Sequence, residues 1–344
     1  MKKKLKLALN VLLVVVIFGV IFYVVRTSME SVFQQLAQTN LAIIFLVVWA
    51  GLLFQLIEGA NIQTMIQRSV KKFSIYDGFW CSCYTAFMRV ITFGAGTIVA
   101  EVLYYRDKGL ASSKGFGLVS LRMIFYKAAL IIFSIVGLIF FGPQLLQESP
   151  SLFAGVIAGI VVTFLIIAGL LALSLSITLQ TLFAMLANKM FKSDKWRDRI
   201  DELNLKVFSI REMVLHLLQD RSILIKLILL NLGKLFFWFI VPWLVFQGET
   251  ASLGFFECFF YTAFASILAG IIPTPAGLGS LEFVFTLLFR PLVGQVAAIS
   301  ALLLYRFATY VLPFLLGLGF AAYRKRRSLK QEVQEIKEED SESK

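Results

Sequence analysis

The sequence predicts an all-α, polytopic integral membrane protein, and two observations carry this prediction. Hydrophobic residues make up 59% of the 344-residue chain and charged residues only 16%, whereas soluble domains carry about 45–50% and about 25%. Several apolar runs are also long enough to cross a hydrocarbon core of about 30 Å. We therefore expect about six full transmembrane helices and, from two apolar segments that are interrupted, two re-entrant helical hairpins.

Six uninterrupted apolar runs give the predicted full spans. The first run, Leu7–Val25, is longer than the apolar core of a signal peptide and is followed by no small-residue cleavage site, so we interpret it as a retained helix. The other five predicted spans are residues 41–62, 116–141, 152–182, 223–246 and 296–323.

Two polar segments accompany these spans. Residues 188–221 are basic and repeat apolar residues at steps of three and four, which predicts an amphipathic helix on the cytoplasmic surface or a solvated connector. Residues 326–344 form a charged cytoplasmic tail, and we expect disorder from Gln331 onward.

The net charge of +12 fits anionic lipid head groups rather than a nucleic acid, because the basic residues cluster in loops between apolar runs. If the N-terminus is cytoplasmic, nearly all these clusters fall on the cytoplasmic side, and so does the C-terminus. A single histidine and three scattered cysteines predict neither a metal site nor a cofactor. The main basic clusters are residues 2–6, 68–72, 106–114, 188–221 and 324–327.

Two apolar segments are interrupted by Gly and Pro. Residues 75–105 break at 94–96, and residues 255–289 break at 273–279. Each resumed half has about ten residues, or about 15 Å of helix, which is too short to cross a bilayer. We predict two hairpins that enter from opposite faces, although two pairs of tilted full spans would have the same parity.

The two interrupted segments share an order of residues that indicates an internal duplication. The motif Tyr-Thr-Ala-Phe at 84–87 returns 177 residues later at 261–264. Because the copies insert from opposite sides, the sequence predicts an inverted repeat with halves at about 41–141 and 223–323, within one transmembrane domain over 1–325. This architecture is typical of transporters. Further residues return after 181 or 184 positions: Gly96 as Gly277, Glu101 as Glu282, Arg122 as Arg306 and Tyr126 as Tyr310.

Ionisable residues within apolar spans are candidate functional residues, because an intramembrane charge is costly. Two interpretations remain open: each glutamate pairs with an arginine and ties a hairpin to the next span, or the arginines bind an anionic phosphate. Arg89 and Lys127 extend this basic site or reach toward the interface, and Glu58 is a further candidate. The predicted substrate-binding residues are Arg89, Gly96, Glu101, Arg122, Tyr126, Lys127, Gly277, Gly279, Glu282, Arg306 and Tyr310.

The run Pro-Thr-Pro-Ala-Gly-Leu-Gly-Ser-Leu-Glu at 273–282, with its echo at 94–101, resembles a known family. It is similar to the flippase-like transmembrane domain of lysylphosphatidylglycerol synthases of the multiple peptide resistance factor type. The resemblance covers about residues 5–325. It implies a stand-alone member of the YbhN and AglD type, without the cytosolic synthase domain, in the plasma membrane of a prokaryote.

The resemblance implies a flippase that moves an anionic or aminoacylated phospholipid, such as phosphatidylglycerol or lysyl-phosphatidylglycerol, between leaflets. Two alternatives remain open. One is a role as a phosphatidylglycerol lysyltransferase-type protein, either in lipid modification or as the membrane partner of a separate synthase. The other is translocation of a polyprenyl-phosphate carrier. We favour a transporter over an enzyme, since no histidine or metal motif accompanies the deep glutamates. A homo-oligomer is compatible with either function.

Overall fold

The computed structural model describes residues 32–175, 211, 215, 219–247, 253–272, 274 and 279–342. The first predicted span, residues 7–25, lies outside these residues, as does most of the predicted amphipathic segment 188–221. All regular secondary structure in the described ranges is helical, which confirms the predicted fold class.

The described ranges give the bounds of eleven α-helices and one π-helical turn. Where the sequence predicts a single span over 223–246, the helix is interrupted at Ile240, two residues before Pro242. In chain order the helices are α1 (Leu41–Ile66), α2 (Ile75–Ile91), α3 (Thr97–Asp107), α4 (Ser112–Glu148), α5 (Pro150–Leu175), α6 (Arg221–Phe239), α7 (Val241–Phe246), α8 (Phe255–Ala269), α9 (Ser280–Val293), α10 (Gln295–Arg306), a π-helical turn (Phe307–Val311) and α11 (Leu312–Glu342).

Five helical segments of the described chain are long and apolar enough to cross a bilayer, and each overlaps one of the predicted full spans. The chain is therefore a polytopic helical membrane protein. The segments are Leu41–Ile66, Lys114–Glu148, Pro150–Ala172, Arg221–Phe246 and Gln295–Arg327.

Two predicted irregular segments are helical instead. Helix α4 continues through Pro143 to Glu148, where the sequence predicts a loop, and α5 begins at Pro150 after a single residue. A proline at the first helical position has no N–H to leave unpaired, so it suits that start. Helix α11 continues to Glu342 instead of ending before Gln331, since this tail is rich in Glu, Lys and Gln, which favour helices.

Each interrupted segment folds back on itself as a helical hairpin. In the first hairpin, Lys108 Nζ at the end of α3 lies 2.5 Å from Asp77 Oδ1 at the start of α2. In the second hairpin, the ring of Tyr261 on α8 lies 6.3 Å from the ring of Phe289 on α9. Helix α3 has only 11 residues, or about 17 Å, and is too short to cross a bilayer.

The open ends of the two hairpins lie at opposite ends of α4. The first hairpin ends at Lys108, just before α4 begins at Ser112. The second is tied to the other end of α4, because Gln144 Nε2 donates to Glu257 Oε1 at 3.1 Å. Between Ser112 and Gln144, α4 separates the two open ends by about 48 Å.

Helix α2 is held between α1 and α11 by close backbone contacts at glycines. A Cβ atom on Gly78 would overlap the carbonyl group of Gly59 on α1. A Cβ atom on Gly317 of α11 would lie 2.7 Å from the carbonyl carbon of Cys83 on α2. Small residues let membrane helices approach this closely, and the two crossings fix the position of α2.

Candidate functional site

Four charged side chains from four helices form an alternating chain of ion pairs. Arg122 on α4 donates from Nη1 to Glu58 Oε1 and from Nη2 to Glu101 Oε2, both at 2.5 Å. Lys234 on α6 donates to Glu58 Oε2 at 2.5 Å. We call Glu58, Glu101, Arg122 and Lys234 the central charge cluster, and it joins α1, α3, α4 and α6.

In the central charge cluster the two carboxylates are almost closed to solvent, with Glu58 2% exposed and Glu101 1% exposed. Its remaining acceptors are also used, since Tyr105 donates to Glu101 Oε1 at 2.5 Å and Asn61 donates to Glu58 Oε2 at 3.2 Å. Two negative and two positive charges cancel. Buried charges persist in proteins when they are paired and hydrogen-bonded in this way.

A second arginine–glutamate pair lies on the second hairpin and the span that follows. Arg306 Nη2 donates to Glu282 Oε2 at 2.6 Å. The same carboxylate oxygen accepts the backbone N–H of Gly279 at 2.8 Å, and so caps the start of α9. Gly279 has φ +90°, a left-handed conformation that side chains disfavour. Gly277, the other predicted glycine of this break, lies outside the described residues.

Arg306 is followed directly by the π-helical turn, which has no evident signal in the sequence. The guanidinium carbon of Arg306 lies 5.5 Å from the centre of the Tyr310 ring within that turn. Isolated π-helical turns occur frequently at functional sites.

The tip of the first hairpin is fixed by its own backbone. Phe93 and Gly94 have positive φ values of 51° and 89°, and the N–H of Gly94 donates to the carbonyl of Arg89 at 2.8 Å. Thr92 Oγ1 accepts the N–H of Gly96 at 2.9 Å, and a Cβ on Gly96 would lie 2.7 Å from Thr92 Cγ2. This compact turn holds the last helical turn of α2, which carries Arg89.

Arg89 is half-buried and lies within electrostatic range of Glu101, Arg122, Tyr126 and Tyr310. Among the described residues it forms no ion pair with a carboxylate. It lies about 18 Å along α2 from Asp77 at the open end of the hairpin, which is about half the thickness of a bilayer core. Arg89 is therefore a guanidinium far from the open end of the hairpin that forms no ion pair with a described carboxylate.

The structure gathers most of the predicted site residues into one region. Tyr310 lies within electrostatic range of both Arg89 and Arg306, so the first hairpin meets the span that follows the second hairpin there. Lys127 has no hydrogen bond, ion pair or charged neighbour among the described residues, and stands apart from them. Sequence reasoning missed Lys234, although a lysine in the middle of an apolar span was a signal for it.

These features define a polytopic helical membrane protein with long spans, two helical hairpins and a buried, charge-balanced ion network. The chain belongs to the family of lysylphosphatidylglycerol synthase transmembrane regions, because the model of the family described as "Lysylphosphatidylglycerol synthase TM region" matches residues 8–317. This confirms the resemblance carried by residues 273–282. No curated protein sequence matches the chain at a significant level.

Proposed function

We propose that the protein is a lipid translocase that moves an anionic or aminoacylated phospholipid, such as phosphatidylglycerol or lysyl-phosphatidylglycerol, between leaflets. The observation that carries the proposal is Arg89, a guanidinium about 18 Å from the open end of its hairpin that forms no ion pair with a carboxylate among the described residues. Such a group suits the phosphate of a lipid head group, because a guanidinium binds phosphate oxygens with two parallel hydrogen bonds.

Neighbouring donors support the same assignment. Both terminal nitrogens of Arg122 are occupied by carboxylates, but its Nε is buried and has no hydrogen-bond partner among the described residues. The hydroxyl of Tyr310 is likewise buried and unpartnered there. A phosphate at Arg89 would satisfy polar atoms that are otherwise costly to leave unpaired.

Leaflet exchange in liposomes tests this function. We expect purified protein to exchange labelled phosphatidylglycerol, and Arg89→Ala to slow the exchange about tenfold or more, because a hydrogen bond to a charged group contributes about 1.5–3 kcal/mol. Arg106→Ala is the matched control, since Arg106 is an exposed arginine of the same hairpin with no ion pair among the described residues. The control should retain the wild-type rate.

The outcomes separate the candidates. Exchange that survives Arg89→Ala in a folded variant would retain the translocase and reject Arg89 as its phosphate site. No exchange of phosphatidylglycerol or lysyl-phosphatidylglycerol, together with exchange of a polyprenyl phosphate, would favour the carrier substrate. No exchange of any of the three would contradict the proposal and favour a membrane partner of a separate synthase.

The same proposal includes hairpins that enter the membrane from opposite faces, with the first one opening to the cytoplasm. Placement of their open ends at the two ends of α4 supports it. We expect a membrane-impermeant maleimide to label Gly254→Cys in intact cells, and to label Lys108→Cys only after permeabilisation. The native Cys81, Cys83 and Cys258 are buried, so the background labelling of the protein should be low. Labelling of both variants from the same side would exclude opposite entry.

A further inference from the structure

The net charge around Arg89 distinguishes lipid phosphates that carry one negative charge from those that carry two. In the described part of the chain, the two carboxylates of the central charge cluster cancel its two cations through three ion pairs of 2.5 Å. Arg306 is paired with Glu282. Arg89 therefore leaves this region with one positive charge in excess of its carboxylates.

Arg122 is not readily released from its two carboxylates to bind a ligand. Glu58 and Glu101 each occupy one terminal nitrogen of Arg122, and both carboxylates are at most 2% exposed. If a phosphate displaced Glu101, that carboxylate would remain buried without a cation, which is strongly unfavourable, and a displaced Glu58 would keep only Lys234. A phosphate at Arg89 would leave these ion pairs intact.

We infer that the site selects lipid phosphates with a single negative charge, as in a phosphodiester, over doubly charged phosphomonoesters, and that Glu58 and Glu101 set this selection. The inference rests on the proposed function and specifies its substrate class. A phosphodiester neutralises Arg89 and leaves the region without net charge. A phosphomonoester dianion leaves one negative charge uncompensated in a medium of low dielectric constant, where such a charge is costly.

Removing one carboxylate changes the selection in a defined direction. Glu101→Gln keeps the shape of the side chain but removes one negative charge, so the region carries two positive charges and accommodates a dianion. Glu58→Gln does the same from a different helix. Glu257→Gln is the matched control, because Glu257 lies at the open end of the second hairpin, beside Gln144.

The test measures lipid binding by the full chain in detergent, as the rise in melting temperature that each lipid causes. Phosphatidylglycerol is compared with phosphatidic acid of the same acyl chains at about pH 8.5 and about pH 5, because a phosphomonoester has a second pKa of about 6. Wild type should bind phosphatidylglycerol equally at both pH values. At the higher pH it should bind phosphatidic acid about tenfold more weakly than phosphatidylglycerol, and at the lower pH this difference should disappear.

Glu101→Gln and Glu58→Gln should bring the affinity for phosphatidic acid at the higher pH to that for phosphatidylglycerol, whereas Glu257→Gln should keep the wild-type ratio. Equal affinity of wild type for the two lipids at the higher pH would overturn the inference, even if neither glutamine variant folds. So would an unchanged ratio in both folded glutamine variants. Binding of phosphatidylglycerol without any leaflet exchange would contradict the translocase while leaving the charge selection intact.

Discussion

Lys234→Met is expected to destabilise the protein by about 3–5 kcal/mol, because it removes one partner of a buried ion pair. Lys234 and Glu58 lie 2.5 Å apart, and each side chain is 2% exposed. Without Lys234, two buried carboxylates share the single cation of Arg122. The measurement is the apparent melting temperature of purified protein in detergent, together with the fraction that elutes as a single species.

The double variant Glu58→Gln with Lys234→Met provides the decisive comparison. It leaves Arg122 paired with Glu101, so the cluster is again neutral and most of the lost stability should return. Lys226→Met, an exposed lysine two turns earlier on α6, should have little effect. If the double variant loses as much stability as the two single variants together, the Glu58–Lys234 pair contributes no coupling energy.

The pattern of apolar residues accounts for much of the fold. Span length follows from bilayer thickness, so the run 41–62 corresponds closely to Leu41–Ile66. The hairpin breaks are also visible, since Gly96 precedes the first residue of α3 and Gly279 precedes that of α9. The π-helical turn after Arg306 could not be predicted, because its residues are compatible with an ordinary helix and tertiary packing decides between the two.

The site is only partly contained in the repeated motifs. They point to Arg122 and Glu101, and the structure places this pair 2.5 Å apart. They do not point to Lys234, which is not among the residues that recur between the two interrupted segments. Lys234 and its partner Glu58 are 176 positions apart, and only the packing of α6 against α1 brings them together. A search for recurring motifs cannot find such a pair.

Gly317→Ala and Gly319→Ala are expected to change stability in opposite directions, although both add one methyl group to the same helix. A Cβ on Gly317 would lie 2.7 Å from the carbonyl carbon of Cys83 and 2.8 Å from Phe87 Cβ. Overpacking of this kind costs about 1–3 kcal/mol. A Cβ on Gly319 meets no atom within 4 Å, so the higher helix propensity of alanine should add up to about 1 kcal/mol.

Thermal unfolding of the two variants in detergent measures these signs, and leaflet exchange measures their functional consequence. Arg89 lies on α2, the helix that Gly317 contacts. A shift of α2 away from α11 would therefore move the guanidinium relative to Tyr310, and Gly317→Ala should slow lipid exchange as well as lower the melting temperature. Gly319→Ala should preserve the exchange rate. Equal melting temperatures for the two variants would mean that α2 and α11 do not cross at Gly317. They would also contradict the argument that this crossing positions Arg89.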